Sequence, residues 1–193
     1  MTNETNAQFK RLVPTGPAIR EKRLVSDPDR QAAIDASGTT AVNVKATLSP
    51  DDLARACADA MWKEDDASKG LGMEILQIKP GEATLTMTIK PHMVNGHSIA
   101  HGGFIFLLAD SAFAFACNSH NERAVAAQCD ISFIRPGKLG DRLIATAREI
   151  SRTGRSGIYD IRVTVVDTAI AEMRGHSRTV GGAWVPAAGA KLK

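Results

Sequence analysis

Hydrophobic positions along the chain fall into two distinct periods separated by turn residues, and a long opening stretch has neither. The first ordered pattern starts at Ser49-Pro50-Asp51-Asp52, where an N-cap hydroxyl, a proline at the first helical position and two acids in the first turn predict a helix start. Leu53, Cys57, Ala60 and Met61 follow at i, i+4, i+7 and i+8, so one side of this helix is expected to face a core. Past Gly70 and Gly72 the period drops to two. Residues 73–79 read as a strand and Lys79-Pro80-Gly81-Glu82 as a turn. Ala83, Leu85, Met87 and Ile89 then alternate with Thr84, Thr86 and Thr88, a strand with one buried and one more polar face. Four more strand-like runs cover residues 124–134, 142–150, 158–166 and 170–180. The short links between them predict antiparallel pairing of neighbours in a meander.

Between these strands, residues 104–117 are apolar on every side except at Asp110 and Ser111, which predicts a helix buried all round. The simplest arrangement wraps an antiparallel sheet around that helix, an α+β domain. Residues 1–48 hold few large apolar side chains and scatter Pro14, Pro17, Pro28 and Gly38 among charges, so they read as an extension that is flexible or wraps a partner. The ordered domain is expected over residues 49–182 and a frayed C-terminal tail over 183–193.

Composition narrows the class. The 193 residues are 44% hydrophobic and 23% charged, the profile of one globular domain with an appendage. With 24 Lys and Arg against 21 Asp and Glu, the formal charge of +3 gives no basic face for nucleic acid. Cys57, Cys117 and Cys129 are an odd number without CxxC spacing, which argues against a disulfide framework or a zinc site and fits a reducing cytoplasm. No apolar run reaches the roughly 18 residues of a membrane span, and the N-terminus lacks the apolar core of a signal peptide.

Candidate chemistry concentrates around the apolar helix. A carboxylate inside it costs several kcal/mol unless it is hydrogen-bonded, paired or wet, so Asp110 calls for a reason, structural or catalytic. About two turns earlier, Gly102-Gly103 opens the helix, where amides without internal partners at the positive dipole end suit a carbonyl oxygen. On the preceding loop Asn95 offers an amide donor and acceptor. An electrophile-polarising group, a carboxylate and an orienting amide are the parts of an acyl-transfer site. His92, His97 and His101 have no carboxylate at matching spacing, so no metal is expected, and His101 reads as a loop-shaping hydrogen-bonder.

The residues Met93-Val94-Asn95-Gly96-His97, His101-Gly102-Gly103-Phe104-Ile105-Phe106, Leu108 to Ser119, Phe133-Ile134-Arg135-Pro136 and Gly140-Asp141-Arg142-Leu143 resemble the hotdog-fold acyl-CoA thioesterases, of the phenylacetate-pathway (PaaI) type. The likeness spans roughly residues 49–182 and leaves the extension unmatched. It implies a hotdog fold and hydrolysis of an acyl-CoA, of aryl-acetyl or fatty type, to free acid and CoA. It further implies that the Gly102 N–H polarises the thioester carbonyl, that Asp110 is the general base or nucleophile, and that Asn95 positions the thioester or water. Such enzymes pair their sheets as dimers, with Asp110 contributed across from Gly102, and dimers usually form tetramers. His101, Gly103 and Phe104 would adjoin the substrate, and Arg135, Lys138 and Arg155 lie in turns where coenzyme A phosphates could meet them. No cofactor is implied beyond coenzyme A as part of the substrate. Many relatives carry Ser or Thr on the strand after the helix where this chain has Ala126-Ala127, which leaves the polar partner of Asp110 open. Two other readings compete. A hotdog enoyl-thioester hydratase or dehydratase would use His97 with Asp110, although its proline-glycine context is absent. A non-catalytic acyl-CoA-binding module would bind without turnover.

Overall fold

The computed structural model describes residues 48–186; residues 1–47 of the expected extension and the terminal residues 187–193 lie outside them. Helix α1 (Pro50–Glu64) begins where the sequence predicts, with Ser49 Oγ accepting from the Asp52 N–H at 3.1 Å and donating to the Asp52 carboxylate at 2.6 Å. Its buried face is Ala54, Cys57 and Ala58, one position round from the expected stripe, with Leu53, Ala60 and Met61 only half-buried. The shift lets Trp62 reach the Phe115 ring, 6.0 Å between centroids. A second helix, α2 (Asp66–Leu71), was not legible in the periodicity. Asp65 makes it by capping the Ser68 N–H at 3.0 Å, and Gly72 ends it at φ 74°, a left-handed conformation that glycine adopts without a Cβ clash.

Six strands follow: β1 (Glu74–Lys79), β2 (Glu82–Thr88), β3 (Ala124–Phe133), β4 (Arg142–Thr153), β5 (Ser156–Val165) and β6 (Thr168–Thr179). They form one antiparallel sheet in the order β1-β2-β4-β5-β6-β3. The meander expected of the last four strands holds only for β4, β5 and β6. Strand β3 pairs with β6 and not with its successor, because the link after it is led away: the Ile134 and Arg135 N–H groups both donate to the Ile170 carbonyl (2.8 and 3.2 Å). Gly137 then accepts from the Ala100 N–H at 2.9 Å, and Gly140 and Asp141 bond the backbone of Ile89. Pro136, with no N–H, cannot continue a ladder there. The outcome is that β3 stands at the sheet edge with one neighbour.

Around helix α3 (Gly102–Asn118) the sheet packs with all six strands, and this is the hotdog arrangement. Ile105, Leu108, Ala109, Ala112, Phe113, Phe115, Ala116 and Cys117 are buried, and Phe113 meets the fully buried Tyr159 ring at 5.3 Å. Each buried phenylalanine contributes about 1.5–3 kcal/mol. The expectation of burial on every side needs correction. Gly102, Phe106, Asp110 and Ala114, an i, i+4 stripe, are only half-buried, as are Leu107 and Ser111. A single chain leaves that stripe uncovered beside the open edge of β3.

The C-terminal segment also departs from the frayed tail expected from residue 183. The Trp184 indole N–H donates to Asn118 Oδ1 at 2.6 Å, the Arg123 guanidinium lies 4.3 Å from its ring centroid, and Asn121 bonds the backbone of Trp184 and Val185. Among the described residues no helix is long and apolar enough to cross a membrane.

Candidate active site

The segment before α3 is folded around Asn95. The Asn95 N–H bonds the Ile99 carbonyl at 2.9 Å, Val94 and Ala100 form an isolated bridge, and the His101 N–H reaches the Met93 carbonyl at 2.8 Å. The reversal needs a left-handed residue, and Ser98 takes it at φ 59°. Inside the turn, Asn95 Oδ1 accepts from the His97 and Ile99 N–H groups at 2.9 and 3.4 Å. The acceptor half of the amide therefore shapes the loop, while the Asn95 amide nitrogen makes no hydrogen bond among the described residues.

His101 is the N-cap of α3. Its Nδ1 accepts from the Gly103 N–H at 3.0 Å and its carbonyl from the Phe104 N–H at 3.0 Å. Gly103 is thereby engaged in the cap. The Gly102 N–H alone in this first turn has no acceptor among the described residues. Phe104 stands edge-on between the His92 and His101 rings, 6.2 Å from each. Gly102 and Asn95 line one cleft of about 400 Å³ with Ile99, Ile105, Phe133 and Arg135. The Phe133 ring lies so close that a Cβ on Gly102 would stand 2.9 Å from its Cζ, so only glycine leaves the amide open to a ligand there.

Asp110 is elsewhere. It lies eight positions along the helix from Gly102, about 12 Å along the axis at the α-helical rise. Reacting atoms must approach to about 3–3.5 Å, so one chain cannot bring both groups to one carbonyl. Half-buried Asp110 has its carboxyl pushed above the ordinary carboxylate range by burial, partly opposed by the thiol of Cys129, whose Sγ is 3.9 Å from Oδ1. Burial, and then the Asp110 charge, push the neighbouring Cys117 thiol up to about 12. The partner that Ala126-Ala127 leaves open in the sequence is thus a cysteine. A bulge between Ala126 and Gln128 resets β3, so that Cys129 and Ile131 face α3 while Asp130 and Ser132 face outward. Cysteine count and spacing in the sequence do not single out Cys129, whereas strand alternation back from Ile131 places it beside the helix.

The cationic candidates are dispersed. Arg135 lines the Gly102 cleft, its Nη1 donating to the Ala169 carbonyl at 2.9 Å. Lys138 is held by its backbone N–H, which donates to the Asp141 carboxylate at 2.7 Å. Arg155 donates to the Thr179 carbonyl at 2.8 Å, at the end of β6 remote from the Phe133 end of β3. Within one chain it does not share the Gly102 cleft.

Comparison with known proteins identifies the family. A sequence model of the Thioesterase superfamily matches residues 97–172. The acyl-coenzyme A thioesterase PaaI of Escherichia coli is 45% identical over 126 residues, 65% of this chain and 90% of that protein. A solved structure of the E. coli PaaI protein from the phenylacetic acid degradation operon superposes with a TM-score of 0.69 over 70% of this chain and 99% of that one, at 43% identity. A variant of the phenylacetic acid degradation protein PaaI from Thermus thermophilus superposes at 0.59, with 34% identity, over 60% of this chain and 100% of that one. The chain belongs to the PaaI-type acyl-CoA thioesterases of the hotdog fold, and is a thioester hydrolase.

Proposed function

We propose that this thioesterase hydrolyses aryl-acetyl-CoA, of the phenylacetyl or hydroxyphenylacetyl type, at sites shared between two copies of the chain. One observation carries the sharing: the unoccupied Gly102 N–H and Asp110 are about 12 Å apart on the uncovered stripe of α3. A second copy related by two-fold symmetry sets Asp110 of each chain opposite Gly102 of the other. The open edge of β3 offers unpaired backbone groups for the same contact, and its Phe133 is 53% exposed. The phenylacetic acid degradation context of these relatives supports the acyl class.

In this reading the thioester carbonyl lies against the Gly102 N–H, with the Asn95 amide N–H beside it. Asp110 takes a proton from water as the water oxygen bonds to the carbonyl carbon. The carbonyl electron pair moves onto the oxygen held by Gly102, then returns to expel the CoA thiolate. His101 and Gly103 support the cap, Phe104 borders the acyl group, and Arg135, Lys138 and Arg155 serve the coenzyme A phosphates of one or the other copy. The enzyme acts in the cytoplasm as a dimer or tetramer, needing no cofactor and no metal.

The test is thiol release from a panel of aromatic, short and long acyl-CoAs, with an enoyl thioester included to expose hydration without thiol release. Asp110→Asn should abolish turnover and keep acyl-CoA binding. Asp110→Asn and Gly102→Val, each inactive alone, should recover about a quarter of wild-type activity when co-expressed, since half the dimers are mixed and each has one intact site. Turnover by Asp110→Asn, or no recovery on mixing, rejects the reading. Single turnover in H₂¹⁸O should label the acid and leave Asp110 unlabelled; label in Asp110 makes it the nucleophile.

A further inference from the structure

Asp110 is the only charged side chain on α3, and among the described residues one polar group reaches it, the Cys129 thiol at 3.9 Å from Oδ1. The neighbouring polar groups are committed elsewhere. Ser111 Oγ bonds Ser68 Oγ at 3.0 Å, Cys117 donates to the Ala114 carbonyl at 3.4 Å, and His120 Nε2 pairs with Glu149 Oε2 at 2.8 Å. From the other elements packed on α3, β2 and β4 present Leu85, Met87, Leu143, Ala145 and Ala147, and β6 presents Met173 and Gly175. The titratable groups nearest Asp110 are therefore Cys129 and Cys117, with Tyr159 of β5 beyond Cys117 and hydrogen-bonded to Glu149. Cys57 of α1 faces Asn121.

We propose that Cys129 is a positioning residue of the hydrolysis, donating its S–H to Asp110 Oδ1 and leaving Oδ2 to take the proton from water. This rests on the reading of Asp110 as the base. Burial and the adjacent carboxylate push the Cys129 thiol up, so it stays protonated and remains a donor in the working range. An S–H is a weak donor. It fixes the rotation of the carboxylate while lowering its basicity less than a hydroxyl would, and a general base needs both orientation and proton affinity. The Cys129 thiol has no other hydrogen bond among the described residues, as befits a group whose one partner is Asp110.

The experiment compares the pH dependence of kcat in wild type, Cys129→Ala and Cys129→Ser, and records the S–H stretching band by infrared difference against Cys129→Ala. Loss of the donor should lower kcat roughly tenfold with KM nearly unchanged, an orientation effect, and move the acid limb to higher pH. Cys129→Ser should recover most of the rate and move the limb to lower pH. The Cys129 band should shift to higher wavenumber in Asp110→Asn, as its acceptor loses charge. A Cys129→Ala profile superimposable on wild type, equal impairment of both variants without a moved limb, or a band indifferent to Asp110→Asn overturns the proposal. Asp110→Asn turnover separates the two ideas: an active variant removes the base itself, whereas a dead one beside a normal Cys129→Ala removes only Cys129.

Discussion

The Phe133 ring caps Gly102 so tightly that its Cζ would be 2.9 Å from a Cβ at that position. The ring belongs to an edge strand and can swing outward, so Gly102→Ala should leave stability nearly unchanged. The added methyl and the displaced ring would instead occupy the space before the free amide. We expect kcat/KM for acyl-CoA to fall by about 10²-fold, the scale of losing one oxyanion donor, with Tm moved by less than about 3 °C. Thiol-release kinetics and a thermal melt on the same sample check both halves.

Asp110 carries a cost in stability. Its folded pKa is raised by burial above the unfolded value, so its contribution is favourable when protonated and is lost as pH rises through the folded pKa. Asp110→Asn, neutral at every pH, should therefore melt higher than wild type at pH 7, by on the order of 2 °C. The gap should close on acidification toward about pH 4. An unchanged melting difference across that range would contradict the assignment.

At the other end of α3, Glu149 works in the opposite sense. Burial pushes its carboxyl up, but hydrogen bonds from Tyr159 and His120 at 2.8 Å each, with Arg152 nearby, outweigh this and hold it below its ordinary range. A depressed folded pKa gives stability that is present above the unfolded value and lost as pH falls through the folded one. Urea titrations between about pH 5 and 3 should find Glu149→Gln flatter than wild type. Tyr159→Phe should lose about 1–2 kcal/mol, mainly from the unsatisfied acceptor.

The Trp184 contact predicts a cost for shortening the chain. Asn118 is buried, and its Oδ1 accepts from both the Ala124 N–H (2.9 Å) and the Trp184 indole (2.6 Å). Trp184→Ala should destabilise by about 1–3 kcal/mol in urea unfolding, through the lost hydrogen bond and the Arg123 stacking. Trp184→Phe, which keeps an aromatic face for Arg123 but no N–H donor, should recover part of it.

The strands, the cap at Ser49 and the central helix were readable because each rests on local chemistry: a hydroxyl three residues from an amide, threonines alternating with aliphatics, glycines where a helix opens. Asp110 was conspicuous for the same reason, a charge in an apolar run. What escaped depends on distant parts of the chain. The pairing of β3 with β6 is decided by where Ile134 and Arg135 find the Ile170 carbonyl. The place of Cys129 beside Asp110 is legible only by counting back from Ile131, because the bulge between Ala126 and Gln128 breaks the alternation from the start of the strand. Asn95 was singled out for chemistry, yet half of its amide serves the loop. Trp184 reads as part of a loose end in the sequence because its partner is 66 residues away.

The placement of β3 bears on how the protein comes into being. Synthesis from the N-terminus delivers β3 well before its sole neighbour β6 has been made. During that interval the sheet over α3 lacks one wall, and Val125 and Phe133 wait on a strand with nothing on either side. Completion of the domain is thus deferred to the emergence of Thr168–Thr179 from the ribosome, and a nascent chain stalled before that point would present an unpaired, aggregation-prone ribbon.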